Sequence, residues 1–92
     1  MATIVVTPTA LADLERLIST LSLPANTRER VKASLRPLGR LPLLGASLDG
    51  AWAGFRFLLG PWRWMIVVYV FDEGADQVSI VTIQDSRSAM SA

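Results

Sequence analysis

The sequence predicts one α+β domain in which two helices pack on one face of an antiparallel sheet, in the element order β-α-α-β-β-β. Three observations predict it. A β-branched run opens the chain, two stretches with helical spacing of apolar residues follow, and apolar runs separated by turn residues fill the second half. Because 92 residues leave room for only one core, we expect residues 1–92 to form a single domain.

The first strand and helix are marked by local signals. Residues 3–7 are all β-branched, which is typical of a strand. Thr7 suits the position that caps a helix, and Pro8 suits the first helical position. Pro24 ends the helix, whose apolar face is expected to hold Leu11, Leu14, Ile18 and Leu21.

A second helix is predicted after a short loop, so that the two helices form an antiparallel hairpin. Residues 26–29 read Asn-Thr-Arg-Glu and predict a capping box at its start. Its apolar stripe is expected to hold Val31, Leu35 and Leu38. Cations at spacings of four beside this stripe predict a basic flank, formed by Arg28, Lys32 and Arg36.

Strands dominate the second half. They are expected over 53–59, 62–71 and 77–83, with turns at 60–61 and 72–76. The residues after them, 84–92, are small and polar, and we expect a flexible tail there.

The segment from Trp52 to Phe71 is apolar enough to raise the question of a membrane span. Arg56, Pro61 and Arg63 interrupt it, and each arginine at the bilayer centre would cost about 2.5–3.5 kcal/mol. We therefore expect a hairpin of two strands, no membrane partner, and a soluble, cytoplasmic protein.

The composition excludes several kinds of chemistry. The chain has no cysteine and no histidine, which removes disulfides, thiolate metal sites and the commonest general base. We expect no cofactor and no metal. A net charge of +1 gives no bulk attraction to nucleic acid. Since 51% of residues are hydrophobic and 18% charged, we expect an exposed apolar patch that binds another protein.

Several short motifs together resemble the RelE/ParE family of bacterial toxins. They keep the order of that family's motifs over nearly the whole chain, and they are Thr7–Leu14, Leu48-Asp49-Gly50, Gly54-Phe55-Arg56, Trp62-Arg63 and Arg87-Ser88. The resemblance implies two helices on a small twisted antiparallel sheet. It also implies the toxin of a type II toxin–antitoxin module, neutralised by a cognate antitoxin that folds on it, with a heterotetramer as one possible assembly.

The resemblance implies a phosphate-binding site as well. Some members of the family cleave mRNA on the ribosome, and others inhibit DNA gyrase. By their positions in the motifs, Arg63, Arg56 and Arg87 are the candidate catalytic cations that would hold phosphate. The alternatives are a solvent-facing cation at Arg63, an ion pair across strands at Arg56, and a tail residue at Arg87.

Two further groups are candidates for binding nucleic acid or a partner. The basic flank of Arg28, Lys32 and Arg36 would contact RNA phosphates or an acidic antitoxin, and a solvated helix surface is the alternative. Trp62 and Trp64, together with Trp52, would stack on bases. Packing in the core or against a partner is the alternative for these aromatics, and Tyr69 is expected to be structural.

Departures from the family pattern weaken the catalytic interpretation. Phe57 and Leu59 stand where ribonuclease members carry paired cations, and Asp85 stands where many of them have a basic residue. Ser91 occupies the usual place of a terminal tyrosine, and an aliphatic hydroxyl is a poor base without an activating neighbour. Three hypotheses stay open: a toxin that blocks translation by mRNA cleavage, a toxin that acts by protein binding alone, and a non-toxic binding module.

Overall fold

A computed structural model describes residues 1–89 and shows two helices on one face of a five-stranded sheet, which confirms the α+β class. The elements are β1 (Thr3–Val6), α1 (Pro8–Leu21), α2 (Thr27–Leu35), β2 (Ala46–Ser47), β3 (Arg56–Leu59), β4 (Met65–Asp72), β5 (Gln77–Asp85) and α3 (Ser86–Ala89). Short 3₁₀ turns cover Arg36–Gly39 and Gly50–Trp52. The sequence did not predict the two-residue strand β2.

The strand order is β1-β5-β4-β3-β2, and one pairing in it is parallel. Short loops join β3 to β4 and β4 to β5, and these strands pair antiparallel as hairpins. β1 is followed in the chain by α1 and α2 and is not joined to its neighbouring strand by a hairpin. Its direction in the sheet is therefore not fixed by a short connection. β1 pairs in parallel with β5, Thr3 opposite Gln77. The sheet is therefore mixed, a feature that local sequence patterns did not indicate.

The two helices begin in different ways. At α1 the predicted cap is confirmed, because the Thr7 hydroxyl accepts a 3.2 Å hydrogen bond from the backbone N–H of Ala10. At α2 the predicted capping box is wrong, since the Asn26 side chain makes no capping hydrogen bond. The backbone of Asn26 is not in the extended conformation that a capping side chain requires (φ −92°, ψ 15°). The buried Thr27 hydroxyl instead donates to the carbonyl of Pro24 at 2.6 Å.

The core lies between the helices and one side of the sheet. Alternate residues of β4 point toward the helices and are fully buried: Met65, Val67 and Tyr69. They pack with helix residues that include Leu14 of α1 and Leu35 of α2. The opposite side of the sheet, here called the open face, carries the alternate positions of β3 and β4, which are Phe57, Leu59, Ile66, Val68 and Val70.

The last strand is longer than the sequence predicts. Gln84 and Asp85 complete β5, and α3 follows them, so only part of the expected tail over 84–92 falls on described residues. Residues 90–92, and with them the interpretation of Ser91, lie outside the described part of the chain. Within residues 1–89, no helix combines the length and the apolar character that a membrane span requires.

Candidate functional site

The turn between β3 and β4 presents the first candidate cation. Arg63 lies in this turn with an exposed side chain. It makes no hydrogen bond or ion pair with any other residue in the range 1–89. Its guanidinium is therefore available to an anionic group.

Arg56, the second candidate, already has partners inside the protein. Its guanidinium donates to the backbone carbonyl of Gly45 at 2.8 Å and to that of Leu43 at 3.3 Å. The expected alternative, an ion pair with a carboxylate on a neighbouring strand, does not form either, since backbone carbonyls take the guanidinium instead. Arg56 begins β3 whereas Arg63 follows its end, so roughly 10 Å of strand separates them. The structure does not bring these two arginines together.

Arg87, the third candidate, is held by a carboxylate. Its Nε and Nη2 atoms donate to Asp85 at 2.9 and 2.8 Å. The hydrogen bond to Asp85 raises the pKa of Arg87 above its ordinary value. Its guanidinium also lies 4.7 Å from the centre of the Trp64 ring. Arg87 therefore already has a carboxylate counter-ion within the protein.

The tryptophans at the same turn form a cluster with two arginines. The rings of Trp62 and Trp64 are stacked, with centroids 5.8 Å apart and planes 14° apart. Arg30 of α2 lies over Trp62 at 4.5 Å, as Arg87 lies over Trp64. Both tryptophans are half-buried and pack against the core. Trp52 is 44% exposed and contacts Phe55 edge to face.

Arg30 is the residue that sequence reasoning missed. It lies two positions after Arg28, off the row of cations at spacings of four, and nothing local marks it as a partner for an aromatic ring 32 positions away. A run of cations on a helix predicts a charged surface, but it does not predict which of these cations contacts a residue of another structural element.

The basic flank is not uniform. Arg28 pairs with Glu15 of α1, its Nε donating to Oε2 at 2.6 Å, and this hydrogen bond lowers the pKa of Glu15. Lys32 and Arg36 are exposed and make no ion pair within residues 1–89. Arg36 lies in the 3₁₀ turn that follows α2, so only Arg28 and Lys32 belong to the helix itself.

The open face is apolar where the family resemblance implied paired cations in ribonuclease members. Leu59 is 48% exposed on it, and Phe57, Ile66 and Val70 are partly exposed. The single tyrosine is not available to this face, because Tyr69 is fully buried on the other side and its hydroxyl accepts a 2.8 Å hydrogen bond from Gly45 N–H. Among residues 1–89 no cluster of potential metal ligands is present. The described surface therefore places the uncommitted guanidinium of Arg63 and the apolar open face on the same molecule.

Comparison with known proteins gives a consistent result at the level of structure. No family model and no curated protein matches the sequence. The toxin–antitoxin complex RelBE2 from Mycobacterium tuberculosis contains a chain that is 24% identical, with 91% of this chain and 96% of that chain covered and a TM-score of 0.64. A YoeB/ParE toxin from Agrobacterium tumefaciens is 20% identical, with 90% and 96% covered and a TM-score of 0.70.

A third likeness comes from the ParDE toxin–antitoxin system of Pseudomonas aeruginosa. The matching chain is 16% identical, with 92% of this chain and 96% of that chain covered and a TM-score of 0.70. At such identities the comparisons establish architecture and leave activity open. The chain has the RelE/ParE toxin fold, as its sequence motifs implied.

Proposed function

We propose that this protein is the toxin of a type II toxin–antitoxin module and that a cognate antitoxin neutralises it. The likeness to toxin chains over at least nine-tenths of both chains supports this proposal, by analogy of fold. A surface that exposes several large apolar side chains supports a protein partner independently. A heterotetramer with the antitoxin is the assembly we propose.

For the mode of action, we propose that the toxin binds a protein target, DNA gyrase or another, rather than cleaving mRNA on the ribosome. The apolar open face is the observation that carries this choice. Cleavage requires positive charge where the phosphate gains charge, and a group that activates the ribose hydroxyl. Arg56 and Arg87 are engaged with Gly45 and Asp85, which leaves Arg63 as the free member of the predicted trio.

Expression in a bacterial host tests both proposals. Growth should stop, and co-expression of the product of the adjacent reading frame should restore it. Leu59→Lys should relieve the arrest because it places a charge on the open face, whereas Arg63→Ala should not. Leu21→Lys is the matched control, since Leu21 is also exposed but lies at the end of α1, away from the open face.

Assays on the target separate the competing functions. Primer extension should show intact mRNA during the arrest, and a supercoiling assay with purified toxin tests gyrase directly. Ribosome-dependent cuts that disappear in Arg63→Ala would establish the ribonuclease instead. A chain that binds its neighbour-encoded partner but never arrests growth would be a non-toxic binding module.

A further inference from the structure

The loop before β2 exposes three large apolar side chains that lie close together in the sequence. Three of its leucines are more than half exposed: Leu41 at 56%, Leu43 at 55% and Leu44 at 53%. We call residues 41–45 the leucine loop. Scattered apolar side chains are normal on a protein surface, but a contiguous group of this kind marks a binding site.

Hydrogen bonds hold the leucine loop in place. Gly45 N–H donates to the buried hydroxyl of Tyr69 at 2.8 Å, and Arg56 donates to the carbonyls of Gly45 and Leu43. Leu44 N–H donates to the carbonyl of Leu41 at 3.0 Å. The backbone at Gly45 is so close to the sheet that a Cβ there would lie 2.5 Å from the carbonyl oxygen of Phe57. The leucines are therefore fixed in an outward position, which lowers the entropy cost of binding.

The leucine loop forms one end of a groove. A cavity of about 390 Å³ is lined by Arg40, Leu41, Pro42, Leu43, Leu44 and Phe71. Beyond Leu43 and Phe71, the surface continues as a wider depression of about 700 Å³ that is bordered by Asp72, the last residue of β4, and by Glu73 of the turn that follows. Neither carboxylate forms an ion pair within residues 1–89. One end of the groove is lined by apolar side chains and by Arg40, and the other end is acidic.

We propose that this groove binds an amphipathic segment of the antitoxin, with apolar side chains on the leucine loop and Lys or Arg beside Asp72 and Glu73. The inference rests on the proposed function, because it assigns a place to the partner that the function requires. Charge decides between the possible occupants. Nucleic acid would be repelled by the two carboxylates, and a second copy of this chain packed face to face would bring like charges together.

The binding experiment uses the purified chain and the product of the adjacent reading frame as the probe, with affinity measured by calorimetry. Leu41→Ser combined with Leu43→Ser should weaken binding at least tenfold, since anchors in a pocket dominate such interfaces. Leu11→Ser is the matched control, because Leu11 is 50% exposed on α1 outside the groove, and it should bind within twofold of the native chain. Circular dichroism establishes that each variant is folded.

Charge reversal tests the acidic end separately. Glu73→Lys should weaken binding several-fold and reduce its dependence on salt, because a cation of the partner loses its counterpart. Tighter binding by Glu73→Lys would show an acidic occupant and overturn the proposal. So would sedimentation that finds a dimer of the native chain and a monomer of the double leucine variant.

The outcomes also separate this inference from the proposed function. Native affinity in both the leucine and the Glu73 variants would refute the groove as the antitoxin site and leave the toxin assignment intact. Failure of the native chain to bind the probe, together with failure of the probe to restore growth, would refute the toxin assignment and the groove with it.

Discussion

The carboxylate of Asp13 in α1 accepts a 2.5 Å hydrogen bond from the hydroxyl of Thr82 in β5, across 69 positions of sequence. The same oxygen accepts from the backbone N–H of Ile83 at 3.3 Å. β1 stops pairing with β5 at Ile80, so in the part of the chain that the structure describes, residues 1–89, this edge of β5 has no neighbouring strand beyond that point. Asp13 satisfies the polar groups there and fixes α1 on the sheet.

Asp13→Ala should therefore lower the free energy of unfolding by about 1–3 kcal/mol, because the mostly buried Thr82 hydroxyl and the Ile83 N–H lose their acceptor. Urea denaturation followed by circular dichroism measures it. Asp49→Ala is the control: Asp49 is exposed and its side chain caps no helix, so its effect should stay within about 0.5 kcal/mol. Equal effects of the two substitutions would show that the Asp13 contacts contribute nothing.

Gly45→Ala tests how closely the leucine loop approaches the sheet. The added methyl group would lie 2.5 Å from the Phe57 carbonyl oxygen and 2.8 Å from the Tyr69 ring, so the backbone must shift. We expect a loss of about 1–3 kcal/mol in unfolding free energy. At Gly74 the same methyl group would have only an ordinary contact, 3.4 Å from Asp72, and Gly74→Ala should be nearly neutral. Comparable losses in both variants would contradict the close approach.

The elements that local spacing encodes were predictable from the sequence. The run of threonines and valines up to Thr7, the cap of α1 and the hairpins of the second half depend on residues a few positions apart. The parallel pairing of β1 depends on contacts between Thr3 and Gln77, which local patterns cannot contain. For this reason the class of fold could be predicted, whereas the mixed sheet could not.

Some contacts of the candidate site were hard to predict for the same reason, because they too join residues that are distant in the sequence. Motif positions predicted three arginines, and their chemistry depends on partners that the motifs do not specify. Arg56 donates to carbonyls 11 and 13 positions back, which no side-chain pattern indicates. Arg87 pairs with Asp85 only two positions away, and that contact was open to prediction, since opposite charges so close in sequence can meet locally.

The pair between Arg28 and Glu15 makes a pH-dependent contribution. The Arg28 hydrogen bond lowers the pKa of Glu15, so the stabilisation is fully present above the unfolded pKa of about 4.3 and is lost as pH falls through the lower folded pKa. Arg28→Gln should raise the Glu15 pKa toward its ordinary value, as measured by carboxyl chemical shifts in an NMR titration. Lys32→Gln, one turn further along α2, should leave that pKa in place. An equal rise of the Glu15 pKa in both variants would indicate that the overall positive charge of α2, and not the Arg28 contact, lowers this pKa.

The contact of Arg30 with Trp62 should be measurable as a coupling energy. The guanidinium lies 4.5 Å from the ring centre on a largely exposed surface, where such contacts contribute about 0.5–1 kcal/mol. A double-mutant cycle of Arg30→Ala and Trp62→Leu, measured by urea denaturation, should give a coupling of that size. The same cycle with Arg36→Ala should give none, because within residues 1–89 the cations that lie over tryptophan rings are Arg30 and Arg87, whereas Arg36 is an exposed residue of the 3₁₀ turn. Arg30 connects α2 to the turn that carries Arg63. A coupling energy near zero would mean that the Arg30–Trp62 contact does not stabilise the position of this turn.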